Sequence, residues 1–187
     1  GQMRIAVYSG SFDPLHIGHQ AIMEYLSGDP AFDWIYLVIS PQNPLKEKGK
    51  ALNAEQRLRS ASDAVRRHPG LHVWVDDIEL TMPAPHYTIK TLDALREREP
   101  GNDFTLVIGA DNLANIHQWR ETSRILSDYG VAVYPRQGYD LERLRDQLLE
   151  EKKDYRIRII DAPIVNISST EIREGEAMGK DMSEFRM

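Results

Sequence analysis

Six short apolar runs alternate with segments of helical character along the 187-residue chain. Runs of this length that are rich in β-branched residues predict buried strands, and they occupy residues 4–8, 34–40, 71–75, 104–108, 131–134 and 156–160. Between them, apolar residues recur at helical spacing, most clearly in residues 17–26, 53–68, 88–98 and 139–152. Strands that alternate with helices form βαβ units. The sequence therefore predicts a doubly wound α/β fold, with a mainly parallel sheet and helices on both faces.

The length of the chain suits one domain, which we place at residues 3–187, with residues 160–187 as a C-terminal helical part. Gly1 and Gln2 precede Met3, and we expect them to be additions to the natural sequence. In a doubly wound fold, ligands bind beyond the carboxyl ends of the strands. The residues that follow each apolar run are therefore the first place to look for chemistry.

Composition excludes several classes of protein. The chain has no cysteine, which rules out disulfides, thiolate metal sites and thiol nucleophiles, and it favours a reducing compartment. No apolar run approaches the roughly 20 residues of a membrane helix, and the N-terminus lacks a signal pattern. The net charge of −6 argues against a general nucleic-acid binder. We therefore expect a cytoplasmic protein without nucleic-acid or membrane partners. The sequence does not determine the oligomeric state, and a homo-oligomer is possible.

The first candidate site directly follows the first strand and reads S-G-S-F-D-P-L-H-I-G-H over residues 9–19. Gly10 allows close backbone approach, and His16 and His19 are three residues apart at the start of a helix, so they share a face. Two imidazoles at the positive end of a helix favour a polyphosphate ligand. Two alternatives stay open: histidines that only cap the helix or face solvent, and a metal pair, which usually needs a third ligand.

A second candidate site lies near the C-terminus, in N-I-S-S-T-E-I-R over residues 166–173. Ser168 and Glu171 have the spacing of a capping box, which predicts a helix that begins there. Hydroxyls and N–H groups would gather at its positive end, with Arg173 in its first turns. An ordinary capped helix is the alternative.

A third candidate follows the fourth strand, in I-G-A-D over residues 108–111. A carboxylate at this position often accepts hydrogen bonds from ribose, so Gly109 and Asp111 are candidates for a nucleotide ribose, or Asp111 only caps the next helix. Lys46 stands in a polar loop, where a lysine is usually solvated. The spacing around Trp119 alone would make it a core aromatic.

Together these segments resemble the bacterial nicotinate mononucleotide adenylyltransferases (nicotinate-nucleotide adenylyltransferases), within the nucleotidyltransferase superfamily marked by an H-x-G-H turn. The resemblance runs from residue 4 to about residue 173. P-H-Y-T-I-K-T-L at 85–92 is similar to the family's P-x-Y-T-x-x-T-L segment, and I-S-S-T-E-I-R at 167–173 to its I-S-S-T-x-I-R segment. Trp119 falls where the family carries a tryptophan that stacks on the pyridine ring.

The resemblance implies a Rossmann-like enzyme of NAD biosynthesis that transfers the adenylyl group of ATP to nicotinate mononucleotide. It implies a catalytic set of His16, His19, Lys46 and Arg173. It implies a mononucleotide site of Lys46, Tyr87, Thr88 and Trp119, in which the Thr88 hydroxyl and N–H groups near Trp119 would bind the nicotinate carboxylate. It also implies ATP-binding residues, which are Gly10, Ser11, Phe12, His16, His19, Gly109, Asp111, Ile167, Ser168, Ser169 and Arg173. We expect Mg²⁺ to be held by the ATP phosphates and water, because the sequence offers no carboxylate cage and no protein metal site.

This chain departs from the family pattern at a few positions. Ser9 replaces a common glycine, Leu45 stands where many members have histidine, and His86 replaces a serine before the tyrosine. The sequence also stops at Met187, short of the family's usual apolar C-terminal segment, so either this member is short or the tail is absent from the sequence. Other adenylyl- or cytidylyltransferases share the first motif but lack the features at 87–92 and 119. An aminoacyl-tRNA synthetase would need tRNA-reading domains, and a non-catalytic nucleotide sensor would not need to keep all four catalytic residues.

Overall fold

The computed structural model describes residues 2–41 and 53–187. Six strands pair in parallel in one sheet, in the order β3-β2-β1-β4-β5-β6. Their bounds are β1, Arg4–Gly10; β2, Trp34–Ile39; β3, Val73–Asp76; β4, Asp103–Gly109; β5, Val131–Tyr134; and β6, Ile157–Ile159.

Helices connect the strands. They are α1, Ile17–Gly28; α2, Ala54–Arg66; α3, Thr88–Arg98; α4, Ala110–Ala114; α5, Thr122–Arg124; α6, Leu141–Glu151; and α7, Ser169–Ala177. Short 3₁₀ turns occupy Ile78–Thr81, Ile116–Gln118 and Ser183–Phe185, and a π-helical turn, Ile125–Tyr129, continues α5. Within the described ranges, no helix has the length and apolar character needed to cross a membrane.

Alternate residues of the central strand β1 belong to two separate hydrophobic clusters. Ile5 and Val7 pack in the cluster that includes Leu92 of α3 and Leu148 of α6. Ala6 and Tyr8 pack in the other cluster, with Met23 of α1 and Ala61 of α2 among its members. A parallel sheet whose strands are buried on both faces needs this double cover. The predicted doubly wound, mainly parallel α/β fold is confirmed.

The strand order reverses at β1, which lies between β2 and β4. In doubly wound sheets the crevice at such a reversal, beyond the carboxyl ends of the strands, binds the ligand. β1 ends at Gly10, two residues later than its apolar run predicts. β4 ends at Gly109, one residue later than its run predicts. The two glycine turns singled out in the sequence therefore lie side by side at the same edge.

Helix starts agree with the capping signals of the sequence. The Asn53 side chain accepts the Gln56 N–H at 2.9 Å, and the Gln56 side chain accepts the Asn53 N–H at 3.1 Å. This reciprocal pair is the predicted capping box of α2. Ser168 is the N-cap of α7, and its Oγ accepts the Glu171 N–H at 3.1 Å. β3 begins at Val73, two residues later than its apolar run predicts.

Candidate active site

A cavity of about 560 Å³ opens at the carboxyl edge of the sheet, beside the reversal of strand order. Its wall comes from four parts of the chain that are distant in sequence. They are the end of β1, the start of α1, the segment after β5 and the segment that leads into α7. Among the lining residues are Tyr8, His16, Gly18, His19, Tyr134, Arg136, Asn166, Ile167, Ser168, Ser169 and Glu171.

The two histidines form a capping box at the start of α1. His16 is the N-cap, and its Nδ1 accepts the N–H groups of Gly18 at 3.0 Å and His19 at 3.4 Å. In return, the Nδ1 of His19 accepts the N–H of His16 at 3.1 Å. The rings stack with centroids 3.6 Å apart. Each histidine therefore caps the helix through its Nδ1, as one of the alternatives left open by the sequence predicts. Both rings also line the cavity.

Both histidines are neutral near pH 7. Burial, and to a smaller extent the Arg136 charge, lower the pKa of His16 from 6.5 to about 4, while Glu171 acts in the opposite direction. Burial, His16 and Arg136 together hold the pKa of His19 well below its ordinary value. Because each Nδ1 accepts an N–H bond, the proton of each neutral ring is on Nε2. The pair therefore offers two N–H donors to a ligand and no positive charge.

Glycine at position 18 allows the rings to stack. A Cβ there would lie 2.9 Å from Cε1 and 3.0 Å from Nδ1 of His16, closer than real Cβ contacts. Below the rings, Phe12 is buried, and its ring meets the His19 ring edge-on at 5.0 Å between centroids. A Cβ at Gly10 would lie 3.1 Å from the Phe12 ring. Gly10 and Phe12 thus support the histidine rings from inside the protein.

A buried arginine ties the first turn to its neighbour in the sheet. Arg57 of α2 is 1% exposed, and its Nη1 donates to the carbonyl of Ser11 at 2.9 Å and to that of Ser40 at 2.7 Å. Ser11 follows β1 and Ser40 follows β2. Charged donors make the stronger hydrogen bonds to carbonyls. The guanidinium therefore fixes the backbone that leads from β1 to the histidines, while the Ser11 carbonyl is used inside the protein.

The start of α7 contacts the same turn. The Ser169 hydroxyl donates to the Pro14 carbonyl at 2.9 Å, and Arg173 Nη1 donates to the Asp13 carbonyl. The Ser168 hydroxyl donates to the Glu171 carboxylate at 3.1 Å. These side chains hold α7 against the turn, and the cavity wall includes both serines but not Arg173. The first N–H groups of α7 have no acceptor in the helix backbone, and the Ser168 hydroxyl accepts that of Glu171, which leaves those of Ser169 and Thr170 for a ligand.

The predicted ribose site lies at the end of β4. A Cβ at Gly109 would lie 2.7 Å from Oδ1 of Asp111, so only glycine fits beside this carboxylate. That Oδ1 has no hydrogen-bond partner among the described residues, although Arg136 Nε lies 3.4 Å away. A buried acceptor without a partner is rare and suits a ligand hydroxyl. Among the described residues, this Oδ1 thus has an ion-pair partner in Arg136 and no hydrogen-bond donor.

The three described residues of the predicted mononucleotide site lie on the other face of the sheet. Tyr87 is the N-cap of α3, Thr88 begins that helix, and Trp119 ends the 3₁₀ turn that follows α4. Tyr87 and Trp119 both pack, partly buried, against the cluster that includes Leu92. The Arg120 guanidinium lies 4.3 Å from the Tyr87 ring centroid. None of the three residues lines the 560 Å³ cavity, and Trp119 has the core packing that its spacing suggests.

Lys46, the fourth catalytic residue of the prediction, lies outside the described residues. Within residues 2–41 and 53–187, no group of three or more histidine, aspartate or glutamate side chains is placed to hold a metal ion.

Sequence reasoning missed Arg136, Tyr134 and Tyr8 as parts of this site. Tyr8 is buried next to Tyr134, with ring centroids 6.3 Å apart, and both rings line the cavity. Arg136 stands two residues beyond β5, the same position that Asp111 has after β4. A uniform search of the residues after every predicted strand would have found Arg136. The inward direction of Tyr8, by contrast, depends on strand register.

Comparison with known proteins agrees with this geometry. The cytidylyltransferase-like family model matches residues 7–175. A Flavobacterium johnsoniae protein named "Probable nicotinate-nucleotide adenylyltransferase" is 38% identical over 96% of this chain and 90% of its own length. A Bacteroides fragilis protein of the same name is 37% identical over 97% of this chain and 86% of its own length.

Solved structures share the fold. The nicotinic acid mononucleotide adenylyltransferase of Plasmodium falciparum complexed with NaAD superposes with a TM-score of 0.76 at 18% identity, over 98% of this chain and 88% of that one. The same enzyme complexed with APC gives 0.77. A Vibrio parahaemolyticus structure described as a putative nicotinate-nucleotide adenylyltransferase gives 0.67 at 22% identity. With relatives this similar over nearly its whole length, the chain belongs to the nicotinate-nucleotide adenylyltransferase family of cytidylyltransferase-like proteins.

Proposed function

We propose that this protein transfers the adenylyl group of ATP to nicotinate mononucleotide, which gives nicotinate adenine dinucleotide and pyrophosphate. One observation carries the proposal. Two neutral imidazole N–H donors and the N-terminus of α7 line one cavity at the point where the strand order reverses. Anions bind where helix N-termini present N–H groups, so this cavity suits the phosphates of a nucleotide.

The reaction needs no protein nucleophile. An oxygen of the mononucleotide 5′-phosphate attacks the α-phosphorus of ATP in line. A new P–O bond forms as the bond to the bridging oxygen breaks, and pyrophosphate leaves with that electron pair. Positioning and stabilisation of the developing charge provide most of the catalysis in such transfers. The Nε2–H groups of His16 and His19 would donate to the transferring phosphate and the bridging oxygen, and Mg²⁺ would enter with the ATP phosphates.

The ribose of ATP would be bound at the end of β4. Asp111 has an acceptor without a hydrogen-bond partner there, and the missing Cβ of Gly109 leaves room beside it. This places the nucleoside within reach of the histidine turn, because β1 and β4 are neighbours in the sheet.

The acceptor would be bound on the side of Thr88 and Trp119. Stacking of the pyridine ring on the indole and donation from the Thr88 hydroxyl to the carboxylate would select nicotinate over nicotinamide. The family to which the chain belongs supports this acceptor, and the solved relative complexed with NaAD contains the corresponding product.

The proposal is tested by measuring pyrophosphate release from ATP and Mg²⁺ with three acceptors side by side. These are nicotinate mononucleotide, nicotinamide mononucleotide and phosphopantetheine. We expect the highest kcat/KM for the nicotinate form, because only that ring carries a carboxylate. Omission of each acceptor corrects for ATP hydrolysis.

The three acceptors distinguish the alternatives. Release with phosphopantetheine alone would keep the adenylyl-transfer chemistry and contradict the roles given to Thr88 and Trp119. ATP binding without release for any acceptor would contradict the enzymatic function and favour a nucleotide sensor.

A further inference from the structure

Arg136 is a charged residue of the cavity wall to which the proposed function gives no role. It stands beyond the carboxyl end of β5 and lines the same cavity as His16 and His19. Of the described residues in that wall, Arg136 is the one arginine or lysine, and Glu171 is the one carboxylate. The two histidines contribute no positive charge at pH 7, since burial and neighbouring charge lower the pKa of His16 to about 4 and that of His19 well below its ordinary value.

Arg136 lies close to the residue proposed to bind ribose and lines the same cavity as the two histidines proposed to bind phosphate. Its Nε lies 3.4 Å from Oδ1 of Asp111, the acceptor that suits a ribose hydroxyl. Its charge also acts on both histidines, whose Nε2–H groups suit phosphate. In ATP, one CH₂–O link separates the ribose ring from the α-phosphate. A group that lies between a ribose site and a phosphate site is therefore close to the α-phosphate.

The Arg136 side chain is accessible from the cavity. Arg136 is 54% exposed at its side chain, and its guanidinium lies 5.7 Å from the centroid of the Tyr134 ring. An exposed ion pair such as Arg136–Asp111 contributes little to stability, so it costs little to exchange Asp111 for a ligand. A planar guanidinium also matches the paired oxygens of a phosphate group.

We propose that Arg136 is a catalytic residue that donates hydrogen bonds to a non-bridging oxygen of the α-phosphate of ATP during adenylyl transfer. The inference rests on the proposed function. The guanidinium keeps all its protons throughout, while the attacking phosphate oxygen forms the new P–O bond and pyrophosphate leaves with the electron pair of the old one. Arg136 stabilises the charge on the α-phosphate oxygens as they become equatorial.

The first test compares Arg136→Ala and Arg136→Lys with the wild type in pyrophosphate release. Loss of one preorganised donor typically costs on the order of 10²–10³ in rate. We expect kcat/KM to fall by that factor in Arg136→Ala and by less in Arg136→Lys. Arg66→Ala is the matched control, because Arg66 is 77% exposed on α2 and does not line the cavity. It should turn over like the wild type.

Sulfur substitution in ATP distinguishes a direct contact between Arg136 and the α-phosphate from a purely structural role of Arg136. ATP that carries sulfur at one non-bridging α-oxygen is available as two diastereomers. If Arg136 contacts one of these oxygens, the wild type loses rate with the corresponding diastereomer, and Arg136→Ala loses much less. A thio effect of the same size in both proteins would overturn the contact, even if Arg136→Ala is slow.

The pH profile gives a second readout. The groups that face the histidines are Arg136, Glu171 of α7, and Tyr8 of β1, whose ring lies 6.2 Å from the His19 ring. Arg136 lowers the pKa of both histidines, so its removal raises them toward 6.5. The acid limb of kcat/KM should therefore move to higher pH in Arg136→Ala and stay in place in Arg136→Lys. An unmoved limb would contradict the placement of this charge beside the histidines.

Failure of the two proposals can be told apart. If the wild type releases no pyrophosphate with any acceptor, the proposed function is wrong. If the wild type is active and Arg136→Ala has an unchanged kcat/KM, only the role of Arg136 is wrong.

Discussion

The proposed ATP side and the proposed pyridine side of this protein are built differently. On the ATP side, His16, His19 and the start of α7 are fixed by hydrogen bonds to neighbouring backbone, and they surround an open cavity. On the pyridine side, Tyr87 and Trp119 pack against the hydrophobic core, and neither lines that cavity. The donors for phosphate are therefore preorganised, whereas the aromatic groups contribute to stability before any ligand binds.

Two motifs that are equally clear in the sequence can thus differ in how completely the structure forms their binding groups. The H-x-G-H turn contains both the ligand-binding atoms and the atoms that hold them, because each Nδ1 caps the helix while each Nε2 stays available. The segments around Thr88 and Trp119 contain the aromatic and hydroxyl groups, but the binding surface between them depends on more of the chain. We therefore expect ATP-side substitutions to reduce kcat and pyridine-side substitutions to raise the KM of the mononucleotide.

The largest effect is expected for His19→Ala. This substitution removes one Nε2–H donor and the acceptor of the His16 N–H, so kcat should fall on the order of 10²–10³. His16→Ala should reduce kcat by a factor in the same range, because it removes the other Nε2–H donor. Steady-state pyrophosphate release measures both variants, and circular dichroism at pH 7 verifies their fold. Near-normal turnover of either variant would remove the basis for a preorganised ATP side.

A smaller and more selective effect is expected for Trp119→Ala. Loss of a stacked ring costs about 1–3 kcal/mol, so the KM of nicotinate mononucleotide should rise roughly tenfold or more, and that of ATP should change little. Trp119→Phe keeps a ring for stacking and packing, and it serves as the control. Equal increases in both KM values would place Trp119 in the core only.

A third prediction concerns pH and the stability of the histidine turn. The pKa of His16 is lowered from 6.5 to about 4 in the folded protein, so the unfolded chain binds more protons between these values. Stability from this group is complete above pH 6.5 and is lost as the pH falls toward 4. Between pH 7 and pH 5 the wild type should lose about 2 kcal/mol more unfolding free energy than His16→Asn. Urea denaturation at the two pH values measures the difference.

Asparagine is the suitable replacement in that comparison, because it also caps helices well. Equal losses in the two proteins would mean that His16 is not held neutral by burial.

The smallest effect is expected for Ser169→Ala. Its hydroxyl donates to the Pro14 carbonyl and joins α7 to the histidine turn. Loss of one such bond should lower the unfolding free energy by about 1 kcal/mol and leave kcat within a few-fold of the wild type. Thermal denaturation and turnover measure the two parts. A loss of kcat as large as that of His19→Ala would mean that the hydroxyl acts on the ligand.

Most of the fold could be predicted from the sequence, because the strands and the helix starts have local signals. The six apolar runs predict the strands, and capping residues predict where helices begin. Asn53 and Gln56 are one example: their spacing alone predicts the start of α2, and the structure has both bonds. The approximate place of the site also followed, since residues after strands meet at one edge.

The charge state of the site could not be predicted from local signals. Sequence places His16 and His19 together but cannot show that burial keeps both neutral. Nor does it show that Ser169 and Arg173 bond to the Pro14 and Asp13 carbonyls, because these contacts join segments more than 150 residues apart. The contacts of buried Arg57 could not be predicted for the same reason, because its partners Ser11 and Ser40 follow two different strands.

The most direct test of the central claim is to identify the product made from ATP and nicotinate mononucleotide whose 5′-phosphate carries ¹⁸O. If the mononucleotide phosphate attacks the α-phosphorus, mass spectrometry will find nicotinate adenine dinucleotide that retains all the label, together with unlabelled pyrophosphate. Label in the pyrophosphate, or pyrophosphate release without any dinucleotide, would contradict the account.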